Sequence, residues 1–129
     1  MKENKQIQQV ESKIIVIRDT QVVLDRDIAE LYGVETRDIN KAVKNNPDKF
    51  PQDYIITLNK EEKKELVENF HRFNPLKHST SLPKAFTEKG LYMLATIIKS
   101  PLATEATIAI IETFTKLRQL ARAMQQANN

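Results

Sequence analysis

Arg37, Asn40, Lys41, Lys44 and Asn45 gather, in one short stretch, the side chains that hydrogen-bond nucleic acid. Arginine and lysine donate to a guanine edge, and asparagine pairs bidentately with adenine. Lysines and amides also hold phosphates, which position a protein without reading sequence. These residues surround Ile39 and Val43, which lie one helical turn apart and would face inward. That leaves Arg37, Asn40 and Lys41 outward to reach base edges, with Thr36 opening the same helix. Lys44, Asn45 and Lys49 are placed for phosphates. Asp38 shares the outer face, where it could accept from a cytosine amino group or simply favour the helix N-terminus. A charged outer face is also what any amphipathic surface helix carries.

The elements that must position these groups run from Asp25 to Asn46. Ala29 is small enough for a second helix to approach the first. Gly33 can turn with positive φ at little steric cost. Ile28, Ala29, Leu31 and Tyr32 supply the buried side of the first helix, with Asp25 expected as its N-cap. Thr36 is expected to cap the second, which carries Ile39, Ala42 and Val43 inward. Pro47 drives Asn46 out of helical geometry and ends it near Asn45. Two helices across a tight turn make a helix-turn-helix, which seats its second helix in the major groove of duplex DNA.

Ile14–Ile17 and Gln21–Leu24 are apolar, β-rich runs joined by a polar turn, which predicts a hairpin. Arg18 lies in that turn. Tyr54–Leu58 predicts a strand, and Asn59 with Glu62 predicts a capping-box start to a helix ending near Phe70. His71 to Lys84 reads as a long basic loop with a short strand near Leu82. Arg72, placed for a phosphate, and Lys77 lie on it, and beside the helix-turn-helix it would act as a wing. Thr87 predicts the cap of a helix over Glu88–Lys99, with Phe86 and Leu91 as its hydrophobic staple. Ser100-Pro101 breaks it, and a last helix covers Leu102–Gln125. Thr107, Ile110, Phe114, Leu117, Ala121 and Met124 form a heptad seam along that helix. Core packing is expected up to Leu117, and homodimer contact at Leu117, Ala121 and Met124.

Composition narrows the classes. The chain has 129 residues, net charge +3 and 29% charged residues, which fits one mildly basic domain. It has no cysteine, so disulfides and thiolate metal sites are excluded. Two glycines are too few for a phosphate-cradling loop. No signal peptide or membrane span is visible, so a cytoplasmic location is expected. The spacing of His71 and His78 matches no common metal-ligand pattern. Ser12, Ser79, Ser81 and Ser100 lie in no nucleophile motif, so neither catalysis nor a cofactor is expected. The expected organisation is a flexible lead over 1–11, a helix-turn-helix domain over 12–100, and a C-terminal helix over 101–129. The fold class is α+β, winged-helix-like, with an N-terminal hairpin and C-terminal supporting helices.

A run of local sequences carries a resemblance. Val22-Val23-Leu24-Asp25 is followed by Ile28-Ala29-Glu30-Leu31-Tyr32-Gly33-Val34 and by Asn45, Phe50-Pro51, Tyr54 and Leu58. Leu82-Pro83 and Ala85-Phe86-Thr87-Glu88-Lys89-Gly90 close the series. In this order they resemble the ORF-six N-terminal domain, a relative of the KilA-N domain found in phage and bacterial proteins including antirepressors. The resemblance spans about residues 12 to 118. It implies a DNA-binding domain of a phage- or prophage-type transcriptional regulator, with double-stranded DNA as partner. The alternative it carries is an antirepressor-like module that binds a repressor protein.

Overall fold

The computed structural model describes residues 9–128. Strands β1 (Ile14–Ile17) and β2 (Thr20–Leu24) form the expected hairpin. Arg18 and Asp19 make its two-residue turn with φ of 52° and 61°. Positive φ at both central residues gives the turn whose twist matches that of the strands. Arg18 does more than turn the chain. Its guanidinium grips Glu62 through hydrogen bonds of 2.9 and 3.0 Å and so fixes the start of a later helix to the hairpin.

β2 runs straight into α1 (Asp25–Tyr32), and α2 (Thr36–Asn45) follows across Gly33, Val34 and Glu35. Gly33 takes φ of 70°. The Val34 N–H donates to the Ala29 carbonyl at 2.9 Å and the Gly33 N–H to Glu30 at 3.3 Å. This pair of bonds closes a helix only when the residue after it is left-handed, which favours glycine. A Cβ at Gly33 would also meet Leu102 at 2.7 Å.

Both expected caps are displaced by one residue. Leu24, not Asp25, occupies the N-cap of α1, because Leu24 still pairs with Ala85 in the sheet and the helix begins at the next residue. Asp25 becomes a helical residue only 6% exposed. Glu35, not Thr36, is the N-cap of α2, and its N–H donates to the Asp38 carboxylate at 3.0 Å.

β3 (Ile55–Thr57) and β4 (Lys84–Phe86) complete an antiparallel sheet of order β1-β2-β4-β3. Both faces are covered. Val23 and Phe86 belong to a core that also holds Ile28, Tyr32, Ile39 and Leu91. Val22, Leu24 and Ala85 belong to the opposite core with Leu58, Leu66 and Phe73. A strand buried on both faces reads as a continuous apolar run, which is why Val22-Val23-Leu24 shows no alternation. The molecule is thus α+β, with helices on one side of the sheet and a smaller layer on the other.

That smaller layer holds α3 (Lys60–Asn69) and the segment His71–His78. The capping box of α3 forms as expected, with Asn59 and Glu62 exchanging bonds of 2.8 and 2.9 Å. The basic loop departs from the expected open wing. His71–His78 fold as successive 3-10 turns, because Phe73 is drawn into the core at 0% exposure.

Thr87 caps α4 (Glu88–Ile97) through its Oγ1, which accepts the Gly90 N–H and faces the Asp53 and Tyr54 carbonyls at 2.9 and 3.0 Å. Phe86 and Leu91 form the expected staple, both fully buried. Ser100 caps α5 (Pro101–Ala127), whose seam is buried through Phe114 and half-buried at Leu117. Ala121 and Met124 are exposed on its far end. At the other terminus, the expected flexible lead is corrected at residues 9–11. Gln9 to Glu11 are helical, and Val10 is 2% exposed because it packs into the first core. Residues 1–8 of that lead lie outside the described residues.

A Cβ at Gly90 would lie 2.1 Å from the Tyr54 carbonyl oxygen. Gly90→Ala must push α4 off the segment leading into β3. The expected loss is about 1–3 kcal/mol by urea unfolding, the usual range for overpacking; an unchanged midpoint would show that α4 shifts freely.

Candidate nucleic-acid interface

α2 has two faces of different character. Ile39 is fully buried, and Ala42 and Val43 pack beside it against α1 and the core. Arg37, Lys41 and Lys44 follow one another at i, i+4 and i+7 and are all exposed. Residues at those spacings share one side of a helix, so three cations form a stripe. Asn45 is exposed at the end of α2, and Lys49 is exposed on the short 3-10 turn Pro47–Lys49. Arg37 lies 3.9 Å from Glu35, with both side chains largely in solvent. Such a pair contributes little and leaves the guanidinium available. Lys41, Lys44 and Lys49 enter no ion pair among the described residues.

Four expected contact residues stand elsewhere. Thr36 is half-buried at the start of α2. Asn40 is half-buried and lines a cleft beside Thr36 and Arg37. The Asn40 Oδ1 is buried with no hydrogen-bond partner. Arg72 is also corrected. Its Nη1 donates to both Asp27 carboxylate oxygens at 2.9 and 3.0 Å, and its guanidinium lies 4.1 Å from the Phe73 ring centre. A guanidinium engaged with a buried carboxylate is not free to hold a phosphate. Lys77 is exposed, but it lines a groove with α3 rather than joining the α2 stripe. Asp38, bound to the Glu35 N–H, takes the capping option.

Two buried carboxylates, Asp25 and Asp27, lie at the base of this arrangement. Asp27 is 3% exposed, with Lys13 at 3.8 Å adding to Arg72. Burial pushes the carboxyls of both Asp25 and Asp27 above the ordinary range. Arg72 and then Lys13 oppose the rise at Asp27. The Asn40 amide and the Arg26 and Lys84 backbone oppose it at Asp25. The Asp27–Arg72 contact joins residues far apart in the chain, and no local pattern announces it.

Chemically, the α2 stripe is a row of donors without acceptors, suited to an anionic surface. Among the described residues no cluster of three or more metal-ligating side chains assembles. No described helix is long and apolar enough to cross a membrane.

The family model for the ORF6N domain matches residues 12–97. The match runs from the lead into β1 to the end of α4 and leaves α5 outside, so it stops short of the span that the sequence suggested. It covers well over half of the chain, and the chain belongs to this family. No curated protein and no solved structure matches it.

Arg72→Ala should leave Asp27 buried without its main partner and cost about 3 kcal/mol in urea unfolding. A loss within experimental error would return Arg72 to the free cations. For Asp25, the folded value lies above the unfolded value of about 3.9. Between the two, the folded state keeps a proton that the unfolded chain has released. Stability from this group therefore falls as pH rises through that window. Asp25→Asn should remove this component from urea midpoints measured as pH rises above about 4; an identical pH profile in both proteins would contradict it.

Proposed function

We propose that this ORF6N-domain chain binds double-stranded DNA, with α2 entering the major groove, as a phage- or prophage-type transcriptional regulator. The observation that carries this reading is the exposed row Arg37, Lys41 and Lys44, held on a helix whose other side buries Ile39 completely. The row is presented by a packed scaffold, so the helix backbone need not be ordered when a ligand binds. Arg37 and Lys41 reach toward base edges. Lys44, Asn45 and Lys49 hold phosphates on the side where α2 ends, and the Thr36 hydroxyl serves the start of the helix.

With Asn40 half-buried and Asp38 engaged in capping, few groups remain to read bases. The grip therefore rests more on backbone than on sequence. The same observation favours, as second reading, an antirepressor-like module whose α2 meets an acidic face of a repressor protein. In both readings the role is binding rather than catalysis, without a cofactor, and the protein works in the cytoplasm. The exposed end of α5 adds a homodimer contact through Leu117, Ala121 and Met124, which keep to one side of the helix while Lys116, Arg118 and Arg122 stay off it.

Titration with duplex DNA across a salt series tests the reading. Log affinity should fall with log salt at a slope near −0.9 for each phosphate neutralised. Lys44→Ala should weaken binding to every sequence alike and reduce the slope by about 1. A folded protein that binds no duplex at low salt would overturn the DNA reading and leave the repressor-binding one.

A further inference from the structure

A second basic surface lies on the smaller layer, away from α2. Lys60, Lys63 and Lys64 fall on one side of α3, and Lys77 faces them across a groove of about 970 Å³. Their i, i+3 and i+4 spacing is what brings them together. The acids of α3 are largely directed elsewhere. Glu62 is engaged with Arg18, and only Glu68 lines the groove. Lys60, Lys64 and Lys77 are exposed and enter no ion pair among the described residues. The Lys63 ammonium donates to the Ser79 carbonyl and ties the two walls together.

Like charges at i and i+4, as in Lys60 and Lys64, repel on a helix. Glu61 and Glu62 meet the positive end of the macrodipole in the first turn. An anion seated between the lysines relieves their repulsion. The groove is continuous with the first site. Ser79 and Leu82 line it, and they also line the cleft into which Thr36 and Arg37 of α2 project.

We propose that the lysine groove between α3 and the 3-10 segment holds the phosphate backbone of the same duplex, beyond the part that α2 enters. The inference rests on the DNA reading of α2 and extends its footprint to Lys60, Lys63, Lys64 and Lys77. Phosphate contacts of this kind add affinity and fix orientation without adding base preference.

The test compares a short duplex, sized for α2 alone, with one extended at both ends. It uses the full chain and the triple variant Lys60→Gln, Lys64→Gln, Lys77→Gln; Lys63 is spared because it ties the walls. The three replaced residues are exposed, and an unchanged thermal melt checks that the variant folds. The wild type should bind the longer duplex more tightly. The variant should lose that gain, and its salt slope on the longer duplex should be shallower by about 2–3. Its binding to the short duplex should be unchanged. If the wild type gains nothing from the extension, or the variant keeps the wild-type slope, the groove proposal falls while the α2 reading stands. Equal binding and equal slope loss on a single strand of the same length would overturn the assignment to duplex backbone. A wild type that binds neither duplex overturns the α2 reading itself, and the groove proposal with it.

Discussion

A carboxylate taken out of water must be met by donors, and this fold takes two out at once. β2 passes into α1 without a loop, so Asp25 and Asp27 enter the interior at the junction of sheet and helix. Everything around them answers that demand. Arg72 and Lys13 converge on Asp27. Through Asp27, α1 is tied to the 3-10 segment under the sheet. Ion pairs of this sort are weak evidence for stability, but losing one partner strands the other.

This demand also separates what was legible in the sequence from what was not. Local signals were reliable. The hairpin, the glycine turn after Tyr32, the Asn59–Glu62 box and the Phe86–Leu91 staple all depend on residues close in the chain. The two displaced caps have a tertiary cause. Leu24 is held as the last residue of a strand, so the helix must begin at Asp25, whatever side chain stands there. β4 was only approximately placed, since three residues between long irregular stretches carry little periodicity.

At the candidate interface the same division holds. Arg37, Lys41 and Lys44 were visible because a 3.6-residue repeat separates them from Ile39 and Val43. Arg72 stands apart because its partner, Asp27, lies on another element, and composition treats every polar side chain as free. Along the chain Glu61, Glu62 and Glu65 interleave with the lysines of α3, and only the folded helix brings Lys60, Lys63 and Lys64 to one groove with Lys77.

The strand order has a consequence for how the chain acquires its shape. β4 lies between β2 and β3, yet it is the last strand to be synthesised. The β1–β2 hairpin and the α1–α2 pair are local and can form while the chain is still growing. Until Ala85 and Phe86 arrive, Leu24 and Val23 have no neighbour on that edge, and an unpaired edge invites pairing with other chains. Closing the sheet needs contacts between distant parts of the sequence, which are slow to form. The basic helix is thus made early, but the platform that holds it steady is finished late. A nascent chain that ends before residue 84 would display the basic row of α2 without the sheet that holds it in place.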